Sequence, residues 1–173
     1  IKEDKKKTGY VYAEMQTKGR GTQGRKWVSN KGNLFGSIFF PLKKNFPSFN
    51  EFSIINPILI SEAIRHFCNK KKVNLKFPND VFINKKKICG ILQEVITSQN
   101  MSFLIIGIGI NVVSSPEINN SYKATNILLE TKKKLKLENL NAKLISIYEE
   151  FFFNIDAYNY FEFKKKSELM AIN

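Results

Sequence analysis

The feature that most constrains this chain is Gly19-Arg20-Gly21-Thr22-Gln23-Gly24-Arg25-Lys26-Trp27, because of what stands on either side of it. Taken literally, Gly19 to Gly24 satisfies G-x-G-x-x-G after a strand-like run, the pattern of a dinucleotide-binding turn. That turn requires a helix to open at its third glycine. Here the loop passes through Ser29-Asn30-Lys31-Gly32 into Asn33-Leu34-Phe35-Gly36-Ser37-Ile38-Phe39-Phe40, a short apolar and aromatic run that reads as a strand stopped by Pro41. No acidic strand end follows at about 20 residues to hold a ribose. There is also no G-x-x-x-x-G-K-[ST], so both the dinucleotide turn and the P-loop are excluded. The loop must join two strands, Tyr10 to Met15 and Asn33 to Phe40, that pair with each other.

The loop's composition suits a nucleotide. Its glycines leave backbone N–H groups uncovered for a ligand. Arg20, Arg25 and Arg65 are the chain's only arginines, and two of them lie here. An arginine offers a planar fork of donors to phosphate or carboxylate, where lysine offers a point charge. The single tryptophan, Trp27, adds an aromatic face for a base.

Beyond the loop, apolar residues recur at steps of three and four from Asn50 to Asn69, which predicts an amphipathic helix that begins or kinks at Pro57. His66, the only histidine, lies near its end and is assigned no chemistry. Val73 to Phe77 alternates as a strand does and runs into Pro78-Asn79-Asp80. Val81 to Ile83, the turn Asn84-Lys85-Lys86, and Lys87 to Ile96 read as a hairpin with a long second arm, and Met101 to Ile110 as a further strand. Helices are expected at Ala124 to Glu130, Leu140 to Phe153 and Tyr158 to Leu169. Residues 1 to 8 read as a frayed tail. Strands gather in the first two thirds and helices in the last, so the fold class is α+β, a mixed or antiparallel sheet with helices packed on it. At 173 residues and 43% hydrophobic, the chain suffices for one domain, residues 1 to 173.

Cys68 and Cys89 are too few for a disulfide framework, and no segment resembles a signal peptide or a membrane span. The expected location is the cytoplasm, with free thiols and no membrane partner. The formal net charge of +13 invites a nucleic-acid reading. However, the lysines fall in short runs (Lys5 to Lys7, Lys70 to Lys72, Lys85 to Lys87, Lys132 to Lys134, Lys164 to Lys166) expected on separate turns and helix ends. No specific nucleic-acid partner is expected.

A second cluster joins Lys76, Pro78, Asn79 and Asp80 to Lys87 and Gly90. If the hairpin forms, Asp80 and Lys87 stand near the same end of adjacent strands, and a lysine beside a carboxylate and exposed glycine backbone makes a credible reacting centre. The bland alternative is an exposed turn with solvated lysines.

Taken together, four blocks resemble the catalytic domain of the biotin–protein ligase family. They are Gln16-Thr17-Lys18-Gly19-Arg20-Gly21-Thr22-Gln23-Gly24-Arg25-Lys26-Trp27; Lys76-Phe77-Pro78-Asn79-Asp80; Lys87-Ile88-Cys89-Gly90-Ile91-Leu92-Gln93-Glu94; and Gly107-Ile108-Gly109-Ile110-Asn111. The resemblance spans roughly residues 9 to 170. It implies that biotin and ATP give biotinyl-5′-AMP and pyrophosphate, and that the adenylate then acylates a lysine of a biotin carrier protein. It assigns Lys87, Arg20 and Asp80 to catalysis. Biotin would be bound by Gln16, Gly19, Arg20, Gly21, Thr22, Lys87, Gly90, Gly107 and Gly109, and ATP by Arg20, Arg25, Trp27, Asn79, Lys87 and Asn111. Asp80 would orient or deprotonate the incoming amine. Magnesium would arrive with ATP, with its ligands unassigned, and a homodimer is left open.

Phe77 stands where the family commonly has Trp, and Thr22 where some members carry a further Arg. By the same resemblance, a Ser-Thr-Asn segment that binds the biotin ureido ring is expected upstream of Ile1, and a small β-barrel domain after Asn173. The chain therefore reads as part of a ligase. Two alternatives are a lipoate or octanoate transferase of related fold, and a basic nucleic-acid-binding module using the R-G-x-x-G-R loop.

Overall fold

A computed structural model describes residues 7–68, 71–98, 100–117 and 123–172. Six strands form one antiparallel sheet in the order β1-β2-β6-β5-β4-β3: β1 Gly9–Ala13, β2 Leu34–Pro41, β3 Val73–Lys76, β4 Asp80–Ile83, β5 Lys86–Ser98 and β6 Met101–Ile110. The expected pairing across the glycine loop is present as β1 against β2. The strand ends at Pro41 as expected, with the proline as the last residue of β2, opposite Phe103 of β6. The first six residues of the expected tail lie outside the described residues, while Gly9 already belongs to β1.

The two faces of the sheet divide the work, because alternate side chains point to opposite sides of a strand. Leu34, Ile38 and Phe40 of β2, Leu104, Ile106, Ile108 and Ile110 of β6, and Cys89 and Ile91 of β5 are all buried in the core. They pack with the helices α1 (Phe49–Phe67) and α3 (Leu137–Phe153), and α4 (Tyr160–Met170) packs on α1 and β3. On the opposite face the same strands present Gly90, Leu92 and Glu94 of β5 across from Gly109, Gly107 and Ile105 of β6. The Gly-Ile-Gly-Ile end of β6 thus sends its isoleucines into the core and its glycines toward the site.

Helix α1 begins at Phe49, well before Pro57, which lies inside it. A reciprocal cap sets the start: Glu51 N–H donates to Ser48 Oγ at 3.3 Å and Ser48 N–H donates to Glu51 Oε2 at 2.8 Å. The short helix α2 covers Ile127–Thr131 rather than Ala124 to Glu130. Residues Lys123 to Thr125 are extended instead, because they bond to β5: Lys87 N–H donates to Lys123 O at 2.8 Å and Thr125 N–H to Lys87 O at 2.9 Å. Among the described residues no helix is long and apolar enough to cross a membrane.

Candidate active site

The site is built on the glycine face of β5 and β6 and roofed by the loop between β1 and β2. The loop is a miniature hairpin. Gly21 N–H donates to Arg25 O at 2.7 Å and Trp27 N–H to Gly19 O at 3.0 Å, and the chain reverses through Thr22–Gly24. The reversal needs positive φ at Gln23 (56°) and at Gly24 (71°), where a glycine carries no steric penalty. Asn79 Nδ2 donates to Thr22 Oγ1 at 3.1 Å and ties the loop to the start of β4.

The loop delivers the Trp27 ring onto the sheet. A Cβ added at Gly90 or at Gly109 would lie 2.5 Å from that ring, so both positions must be glycine for the indole to rest there. Gly19 plays a different part: a Cβ there would stand 2.5 Å from Trp27 O and 2.7 Å from Ser29 Oγ, so this glycine closes the neck of the loop.

A β-bulge brings the reactive pair together. Val81 faces Cys89 and Phe82 faces Lys87, so Ile88 is an extra residue on β5. Without it, Lys87 and Gly90, three positions apart, would point to opposite faces of the sheet. With it, Lys87 joins Asp80 and Gly90 on the site face, and Ile88 and Cys89 are both fully buried beneath. Lys87 Nζ stands 2.6 Å from Asp80 Oδ1, with each side chain only 13% exposed. This is an ion pair by distance. Lys87 Nζ also lies 5.5 Å from the centre of the Trp27 ring. Burial pushes the Cys89 thiol well above its ordinary range, so it is a packing residue and not a nucleophile.

Two adjoining cavities of about 170 Å³ and about 420 Å³ share Gly21, Thr22, Trp27, Asn79, Asp80 and Lys87 as a common wall. The first also has Gln16, Arg20, Gly90, Gly107 and Gly109 in its lining, and the second has Arg25 and Asn111. Every sequence-predicted site residue except Gly19 therefore borders one cavity or both. Trp27 Nε1 is buried at this wall without a hydrogen-bond acceptor among the described residues. Arg25 is turned outward onto Gln23 Oε1 at 2.6 Å, and Asn111 is buried, donating to Thr125 O at 3.0 Å. Among the described residues no group of three or more His, Cys, Asp or Glu side chains is placed to hold a metal ion.

Sequence reasoning missed Glu94 and Ser37, which line the smaller cavity. Arg20 donates to Glu94 Oε2 at 2.6 Å, so the loop arginine rests on a carboxylate of the sheet. The signal was present: Glu94 follows Gly90 and Leu92 at the strand period, on the same face.

Residues 2–111 match the biotin/lipoate A/B protein ligase family. The chain is 36% identical over 102 residues to the bifunctional ligase/repressor BirA of Escherichia coli (strain K12), an alignment covering 58% of this chain and 32% of that protein. It is 30% identical over 112 residues to the biotin–[acetyl-CoA-carboxylase] ligase of Paracoccus denitrificans, covering 64% of this chain and 47% of that protein. The chain thus matches from about a third to about half of the length of these relatives. Among solved structures, the biotin protein ligase of Aquifex aeolicus in complex with biotin and ATP superposes with a TM-score of 0.77 at 33% identity, over 94% of this chain and 68% of that one. The Leishmania major enzyme in complex with biotinyl-5-AMP superposes with a TM-score of 0.81 at 26% identity, over 96% of this chain and 72% of that one. With its glycine-floored sheet, its loop and this match, the chain belongs to the biotin/lipoate A/B protein ligase family.

Proposed function

We propose that this chain carries the site of an ATP-dependent biotin–protein ligase. The observation that carries the reading is the close, largely enclosed Lys87–Asp80 pair, set where two cavities meet beside a glycine floor and beneath an arginine-bearing loop. The relatives solved with biotin and ATP, and with biotinyl-5-AMP, support the same assignment.

In the first step a biotin carboxylate oxygen attacks the α-phosphorus of ATP, the bond to the bridging oxygen breaks, and pyrophosphate leaves. Negative charge builds on the α-phosphate oxygens. The Lys87 ammonium and the Arg20 guanidinium are the donors able to meet it, in a recess where such contacts count for more than in water. Arg20 must first exchange Glu94 for the ligand. In the second step the amine of an acceptor lysine attacks the acyl carbon, AMP departs with the electrons of the anhydride bond, and Asp80 accepts the amine proton. Gly90, Gly107 and Gly109 give a thin ligand a flat backbone floor, Asn111 and Arg25 border the nucleotide side, and Trp27 stands between the two compartments. Magnesium enters as part of the nucleotide substrate, and no step here is routed through it.

The acceptor is a biotin carrier protein, and the place of action the cytoplasm. The test uses the full-length protein, ATP and a carrier fragment, with biotin, lipoate or octanoate supplied in parallel and the carrier mass read out. Biotin added to a single carrier lysine is the expected result. Transfer of lipoate or octanoate without transfer of biotin overturns the reading in favour of the other branch of the family.

A further inference from the structure

The carboxylate of Glu130, which the proposed chemistry does not use, lies buried on α2 and binds side chains of two segments that flank Lys87. Its Oε1 accepts from Thr125 Oγ1 at 2.7 Å and its Oε2 from Asn84 Nδ2 at 3.0 Å. Lys86 Nζ stands 3.7 Å from Oε1. Asn84 and Lys85, with φ of 50° and 63°, form the tight turn that feeds directly into Lys86 and Lys87. Thr125, fully buried, holds Lys87 from the other side through its N–H to Lys87 O at 2.9 Å. Glu130 itself sits on a capped turn of helix, with Leu129 N–H donating to Asn126 Oδ1 at 2.8 Å.

This placement matters because Lys87 reaches the site face only through the extra residue at Ile88. A bulge is a local irregularity in the ladder, and here the extra residue, Ile88, directly follows Lys87, which pairs with Phe82. The Lys87 main chain is also held from outside the hairpin, by its bonds to Lys123 and Thr125, and that segment is joined to the turn through Glu130.

We infer that Glu130 is a positioning residue for the ligase reaction. By tying the Asn84–Lys86 turn to Thr125, it holds the Lys87 main chain at the bulge so that Nζ meets Asp80. The inference rests on the reading of Lys87 given above and extends it to a residue outside both cavities.

The experiment measures biotin-dependent exchange of labelled pyrophosphate into ATP by the full-length protein, with thermal unfolding followed in parallel. Glu130→Gln keeps the shape and can still accept from Thr125, but turns an amide N–H₂ toward that of Asn84. Misplacing the lysine predicts a kcat lower by about 10-fold or more, with KM for biotin and ATP changed by no more than about twofold. Adding Asn84→Asp to Glu130→Gln reverses donor and acceptor and should restore most of the lost kcat. Thr125→Val, which removes the hydroxyl at nearly constant shape, should lower kcat in the same direction. Lys87→Ala serves as the control for the underlying reading. If Lys87→Ala cuts exchange while Glu130→Gln leaves kcat unchanged in folded protein, the positioning role is wrong and the site reading stands. A loss in Glu130→Gln that follows the unfolded fraction, with no recovery from Asn84→Asp, also overturns it. If Lys87→Ala is fully active, the site reading itself fails.

Discussion

Lys87 and Asp80 are each 13% exposed and 2.6 Å apart, so each is the other's chief compensation for leaving water. The cavities on either side leave room for solvent to reach Asp80 when the lysine is removed. Lys87→Ala is therefore expected to fold and to lower adenylate formation by about 10²-fold, the typical worth of one donor to developing charge. Circular dichroism alongside the exchange assay separates this from unfolding. Glu94 offers a subtler test. Its pair with Arg20 is exposed, at 39% and 68%, and exposed pairs contribute about 0 to 1 kcal/mol. Glu94→Gln should release Arg20 and tighten adenylate binding by no more than about fivefold, as a dissociation constant would report. Neither Glu94 with Arg20 nor Glu130 with Asn84 could be paired from the sequence, because these partners lie far away in the chain and meet only after the sheet forms. Lys87 and Asp80 were legible, since turn chemistry at Asn84 to Lys86 announces the hairpin. The bulge at Ile88 that aims Lys87 was not, because Ile88 and Cys89 are both apolar and either could face the core.

At the scale of elements, the glycine loop is held by few bonds beyond its own. Its sheet contacts are the Arg20–Glu94 pair, the Asn79–Thr22 bond and the Trp27 ring. Proteolysis after Arg20 or Arg25 should slow when biotin and ATP are added together, because a bound adenylate supplies partners the loop lacks. Unchanged cleavage at saturating ligand would remove the loop from ligand closure. Gly109→Ala puts a methyl where the indole lies, so Trp27 must move. The expected results are a shifted emission from this single tryptophan and weakened ligand binding.

Helix α1 carries a pH-dependent cap. Glu51 is held below its ordinary value of 4.5, first by the Ser48 backbone N–H, against the opposing effect of burial, with smaller help from the Ser48 and Tyr158 hydroxyls. A lowered folded value means that the stabilisation is complete above the unfolded value and is lost as pH falls through the folded one. The stability advantage of the native protein over Glu51→Gln should therefore shrink as pH drops below 4.5. The start of α1 could have been read from Ser48 and Glu51, a capping pair at the right spacing, whereas Pro57 drew attention to the wrong place. The helical span of α2 could not, because Ala124 looks helix-forming until β5 claims its backbone.

Across the whole molecule, the expected scatter of lysine runs needs correction. Asn84 N–H donates to Lys72 O at 3.4 Å, and Glu130 reaches both Asn84 and Lys86, so the segments carrying Lys71 and Lys72, Lys85 and Lys86, and Lys132 and Lys133 meet at one end of the molecule. Lys164 to Lys166 lie on α4 instead, where Lys166 pairs with Glu62. The gathered end adjoins the hairpin that bears Lys87, where it would steer a partner with an acidic surface. Transfer to a carrier fragment should slow as salt rises, through the association rate. Binding to DNA should be weak, indifferent to sequence and lost near physiological salt. The choice between a mixed and an antiparallel sheet, left open by the sequence, falls to antiparallel in the structure, while the α+β class was legible because each strand is bounded by turn residues. The gathering of charge was not, since it depends on which strands become neighbours.

We propose that the recess under the glycine loop activates biotin with ATP through Lys87. Exchange of labelled pyrophosphate into ATP by the full-length protein tests it most directly. Exchange that requires biotin, is not supported by lipoate and falls by about 10²-fold in folded Lys87→Ala is the predicted result. Exchange that proceeds without biotin, or that survives intact in Lys87→Ala, contradicts the account.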